Sequence, residues 1–111
     1  MKQGDIILFA LAQADGKSKL RPVLLLKQMP GHGDWLVCGI SSQLHEHVTG
    51  FDLLLDASHT DYKKSGLLKS GVVRLGFLSV IPERQIAGKI GELSTESTGV
   101  LLKSLSDYLR K

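Results

Sequence analysis

The sequence predicts a mainly β fold, a small and strongly bent antiparallel barrel of short strands with a C-terminal α-helix. Three observations lead there. Short β-branched or leucine-rich runs fill the first two thirds, turn-forming residues stand at their borders, and the last twenty residues change to a helical period. With 111 residues, 42% of them apolar, the chain has enough material for one core, so residues 1–111 are read as a single domain.

Residues 6–11, 23–27, 35–40 and 51–55 are the first four strand runs. Asp15-Gly16 and Pro30-Gly31-His32-Gly33-Asp34 separate the first three, which therefore read as hairpins. Residues 12–20 are polar and basic, and the expectation is an exposed, mobile loop able to fold over whatever lies beside Arg21. Two further variable segments, 43–49 with His45 and His47 and 57–66, flank the fourth run. Apolar residues return at Leu67, Leu68 and 72–80, and Pro82 ends that strand or begins a brief helical turn. Ser94 or Thr95 can then cap a helix whose first turn holds Glu96, at the positive end of the dipole. Leu101, Leu102, Leu105, Tyr108 and Leu109 recur at spacings of three and four and define its buried face. Gly99 lies inside this helix at a cost of about 1 kcal/mol relative to alanine.

Charge and cysteine content narrow the chemistry. Cys38, the only cysteine, excludes an internal disulfide and sits in an apolar run, as a buried small side chain does. The formal charge is +3, and the excess is local: Lys63, Lys64, Lys69 and Arg74 stand against Asp61 alone between residues 61 and 76. Such a patch permits an anionic partner. No apolar stretch approaches a membrane span and the first residues lack a secretion signal, so a cytoplasmic protein with no membrane association is expected.

Two short signals carry chemistry. Arg21 sits at the lip of the apolar run 22–26, and Ser41 and Ser42 follow the run 35–40. A cation and a hydroxyl delivered at two strand ends make a small oxyanion site able to handle phosphate. The same residues read equally as a strand-start arginine and ordinary turn hydroxyls, and the lysines as a solvated face. Asp5, beside Gly4, reads as a turn or cap residue.

Five blocks then resemble, in order, those of the MazF/PemK family of toxins from toxin–antitoxin systems. They are Gly4-Asp5-Ile6-Ile7, Arg21-Pro22-Val23-Leu24, Cys38-Gly39-Ile40-Ser41-Ser42-Gln43, Gly66 through Arg74, and Lys89-Ile90-Gly91-Glu92-Leu93. The resemblance covers nearly the whole chain. It implies an SH3-like barrel, a homodimer, metal-independent cleavage of single-stranded RNA at short sequences without a cofactor, and an antitoxin protein as inhibitor.

Carried over position by position, the resemblance makes Arg21 the catalytic cation, Ser41 the phosphate-contacting hydroxyl and Arg74 a further catalytic arginine. Lys17, Lys19, Ser42, Gln43 and Lys69 become RNA-binding candidates. The family's aspartate two residues after that second arginine is Gly76 here, and a later arginine is Ser79. The charge-stabilising half of the site is thus present, while the proton acceptor is open. His32, His45, His47 and His59 are the near-neutral alternatives, with no zinc-ligand spacing among them. A non-catalytic RNA-binding or antitoxin-binding module of the same fold, its activity lost with the acid, is the alternative reading.

Overall fold

The computed structural model describes residues 1–12 and 14–111, with residues 11 and 12 described by their backbone alone. Strands β1 (Asp5–Ala12), β2 (Ser18–Gln28), β3 (Trp35–Ser41), β4 (Leu53–Leu55), β5 (Gly71–Ile81) and β6 (Ile86–Glu92) form one curled antiparallel sheet, in the order β4-β5-β3-β2-β1-β6. Helix α1 (Tyr62–Ser65) is a single turn, and α2 (Thr95–Leu109) is the C-terminal helix.

The unbroken apolar run in β2 has a direct cause: Val23, Leu24, Leu25 and Leu26 are all buried because both faces of the strand are covered. Strand alternation sends Leu24 and Leu26 into one cluster with Ile6, Cys38, Val73, Leu101 and Leu105, under α2. Val23 and Leu25 join Ile7, Trp35, Val37 and Ile81 on the opposite face. Cys38 is fully buried, and burial, with the charge of Asp52 adding, pushes its thiol up to about 12. It is a core side chain.

The loop expected at residues 12–20 is largely strand. β1 continues to Ala12 and β2 begins at Ser18, so that Ala10 faces Leu20 and Ala12 faces Ser18. Pairing to the neighbours stops earlier, at Phe9–Ile86 on one side and Val23–Gly39 on the other, so the hairpin leaves the sheet as a two-stranded arm. Residues 18–21 of the arm are all exposed, which is why polar composition imitates a loop there. Arg21 is accordingly mid-strand, opposite Phe9, and not at a strand start. The fourth run is shorter than expected, since only Leu53–Leu55 pairs with β5. Residue 13 of the expected loop lies outside the described residues.

The segment 57–66, expected to be merely variable, holds α1, docked on β6 through two glycines. A side-chain carbon at Gly66, whose φ is 75°, would stand 2.0 Å from the Ile90 carbonyl oxygen, and one at Gly91 would stand 2.3 Å from Ser65. Asp61, 4% exposed, accepts hydrogen bonds from the Ser94 amide (2.9 Å) and hydroxyl (2.8 Å), while Ser94 caps α2 by accepting from Ser97 N–H at 3.1 Å. Burial pushes the Asp61 carboxyl up, but the serine donors outweigh it and hold it below the usual range. Pro82 does open a brief 3-10 turn, Glu83–Gln85.

Asp5 is structural, as expected of its position. It is 2% exposed, accepts from the Lys2 amide at 2.9 Å, and pairs with Lys2 and Lys89 at 3.1 Å each. Burial raises its pKa, and those donors together overcome it, leaving the carboxyl below its ordinary value.

Candidate functional site

The face of the sheet that carries Val23 and Val37 also carries the arginines and the serine. Arg21 is two residues from Val23, and Ser41 two from Gly39, its partner across the ladder; continuing that register places Arg21 across from Ser41. The backbones have parted by then, and Ser41 pairs instead with Val72. Val73 and Leu75 are core residues of the opposite face, so Arg74 points to the same side as Arg21 and Ser41.

A large bulge shapes the third corner. β3 pairs Cys38 with Leu78 and then Ile40 with Val73, so residues 74–77 of β5 stand against Gly39 alone. Phe77 folds over that glycine, where a side-chain carbon would meet its ring at 2.6 Å. The Arg74 guanidinium lies 5.6 Å from the Phe77 ring centroid, within cation–π range. Phe77, 55% exposed, also lines a cavity of about 180 Å³ together with Arg21, Val37, Gly39 and Ser79. A second cavity, of about 380 Å³, holds Ser42 and Lys69 with Leu67 and Gly71. Pro22 and Ile40 line both, at the place where β2 and β3 separate.

Glu46, on the 3-10 turn Leu44–Glu46, joins two of these residues. Its Oε1 accepts from the Ser41 hydroxyl, and its Oε2 from Arg74 Nη1 at 3.3 Å. Ser41 Oγ in turn accepts from the Gln43 amide at 3.0 Å. Glu46 and Arg74 keep 31% and 33% of their side-chain surface, so the group is reachable from solvent. Asp52 stands nearby in a different role, its two oxygens taken by the Leu75 and Val48 amides at 3.0 Å each.

The remaining candidates fall into two groups. Ser42 and Gln43 follow Ser41 at the rim, with Lys69 across the second cavity; Lys17 and Lys19 ride on the arm that ends beside Arg21. Lys63 and Lys64 lie on α1. His47 Nε2 meets the Asp52 carbonyl at 3.2 Å, and His59 Nδ1 accepts from the Asp61 amide at 2.9 Å. Gly76 opens to free space, where a side-chain carbon would have nothing within 4 Å. Among the described residues no group of three or more His, Cys, Asp and Glu side chains has metal-holding geometry. Glu46 and Phe77 escape sequence reasoning because their contacts are made across the fold, Glu46 with Arg74 at a separation of 28 residues.

The family model described as "PemK-like, MazF-like toxin of type II toxin-antitoxin system" matches residues 2–109. No curated protein matches the chain. Among solved structures, the chain is similar to "Mycobacterium tuberculosis toxin MazF-mt6", with a TM-score of 0.64 and 23% identity over 96% of both chains. At that identity the likeness establishes the fold.

Proposed function

The chain belongs to the PemK-like, MazF-like toxins of type II toxin–antitoxin systems, a family known as endoribonuclease toxins, and from that membership we propose that it cuts single-stranded RNA without a metal. The observation that carries this reading is the convergence of Arg21, Ser41 and Arg74 on one face, where β2 and β3 part. Cleavage through the RNA's own 2′-hydroxyl needs an in-line geometry, a proton acceptor, charge stabilisation at the equatorial oxygens, and a proton for the leaving oxygen.

The guanidinium of Arg21 supplies the charge. It presents a rigid fork of donors to a phosphate and stays ionised, and among the described residues no carboxylate pairs with it. Arg74 adds a second cation from the β5 bulge. Lys17 and Lys19 on the arm, with Lys69, Ser42 and Gln43 at the rim, track the backbone on either side, and the exposed Phe77 ring gives a base a stacking surface. The working form is read as a cytoplasmic homodimer restrained by a cognate antitoxin protein.

The test is cutting of a long unstructured RNA by the purified chain in the presence of a chelator. Wild type should cut at recurrent short sequences, and Arg21→Ala and Ser41→Ala should each lose a factor of about 100 or more in rate with the thermal midpoint unchanged. Salt-dependent RNA binding without cutting would replace this reading with the binding module.

A further inference from the structure

We propose that Ser41 and Glu46 form the proton-accepting half of the site, so that Ser41 acts on the attacking hydroxyl and not on the phosphate. The inference rests on the RNA-cutting reading. It comes from counting donors and acceptors. An ionised carboxylate only accepts, so in the Ser41–Glu46 contact the serine must donate, and its one proton is committed to Glu46. Of the two lone pairs on Ser41 Oγ, one receives the Gln43 amide at 3.0 Å. What remains is a single acceptor position, suited to a substrate O–H and unsuited to a phosphate oxygen.

The groups around Glu46 fit this role. Arg74 reaches it from β5 and Ser41 from β3, while His45 is its neighbour on the 3-10 turn. Asp52, nearby, has both oxygens occupied by backbone amides. Arg74 holds the far oxygen of Glu46, which fixes the near oxygen on Ser41.

In the step itself, the 2′-hydroxyl proton moves to Ser41 Oγ as the serine proton moves to Glu46. The 2′-oxygen forms its bond to phosphorus, the bond from phosphorus to the 5′-oxygen breaks, and that oxygen takes a proton from water. Glu46 then returns its proton to solvent, so nothing is consumed. Glu46 reaches the substrate only through Ser41, which it orients and whose proton it accepts.

The experiment follows metal-free cleavage of a long unstructured RNA against pH, for wild type, Glu46→Gln, Ser41→Ala and the double variant, with RNA affinity and thermal midpoint measured in parallel. Glu46→Gln keeps an oxygen for Ser41 but cannot take its proton. It should lose about 100-fold or more in rate and the acidic limb of the profile, with RNA affinity kept or raised. The double variant should be no slower than the slower single, because the two residues act as one unit. Wild-type cutting by Glu46→Gln, an unchanged acidic limb, or multiplying losses in the double variant would overturn the relay while leaving the nuclease reading intact. If Glu46→Gln fails to fold, Ser41→Ala must lose the acidic limb by itself, and a retained limb overturns the proposal. A wild type that never cuts overturns both.

Discussion

Gly39 is the residue on which the site geometry turns. With no side chain it lets Phe77 lie across β3, and Phe77 in that position carries the Arg74 guanidinium above its ring. Gly39→Ala should therefore displace an exposed ring and not break the core. The expected outcome is a clear loss of cleavage with a shift of about 1 kcal/mol or less in stability, read from paired rate and urea-unfolding measurements. A large stability loss would mean that the Phe77 ring cannot move aside for the added carbon. As candidates, Arg21 and Ser41 could be picked out because each stands at a change of pattern, a cation beside an apolar run and a hydroxyl after one, while Arg74 entered through the family resemblance. Glu46 could not be, since it sits in a short segment that has no period, and its partners, Ser41 on β3 and Arg74 on β5, meet it only once the 3-10 turn folds back beside both strands.

At the scale of elements, the apolar strands and the existence of α2 could be read from their periods, but of the helix face expected to be buried only Leu101 and Leu105 are, with Leu102 half-buried and Tyr108 and Leu109 exposed. The other departures occur where exposure hides the period. Among the described residues the β1–β2 arm pairs with no third strand, so its residues 18–21 need not be apolar, and their composition resembles a loop. Helix α1 is too short to show a helical repeat; it is held by close backbone contact with β6 at Gly66 and Gly91. Gly66→Ala adds a side chain both at positive φ and against the Ile90 carbonyl, and should cost about 3 kcal/mol in chemical unfolding. Because Gly66 leads into Lys69 and β5, cleavage should fall with it. Ser94→Ala removes the α2 cap and one donor from buried Asp61, for an expected loss of about 1–2 kcal/mol. A neutral result at Ser94 would mean that the Asp61 link does not tie α1 to α2.

Over the whole molecule, the two buried acids, Asp5 and Asp61, tie separate segments together and set the response to pH. Both carboxyls lie below their ordinary values in the folded chain, so the unfolded chain binds more protons on acidification. Their contribution is complete above the ordinary carboxyl range, near about pH 4, and is lost as pH falls through the folded values. Lys2 and Lys89 are raised, chiefly by their hydrogen bonds to Asp5, so their share is present below about pH 10 and is lost as pH rises through the folded values. Thermal midpoints should be flat between these limits, and Asp5→Asn should flatten the acid side while lowering the plateau. The exposed Lys103–Asp107 pair on α2 should contribute little.

The sheet face carries Arg21 and Arg74 and a Ser41 hydroxyl held by the Glu46 carboxylate, and under the proposed relay the arginines meet a phosphate while the hydroxyl meets the attacking group. A nucleophile that belongs to the RNA itself must lie next to the scissile bond. The direct measurement compares an RNA strand that the protein cuts with the same strand carrying a single 2′-deoxy nucleotide at the cut position, both in chelator. The expected result is cutting of the first to a 2′,3′-cyclic phosphate and a 5′-hydroxyl, and binding without cutting of the second. Equal cutting of both strands would contradict it.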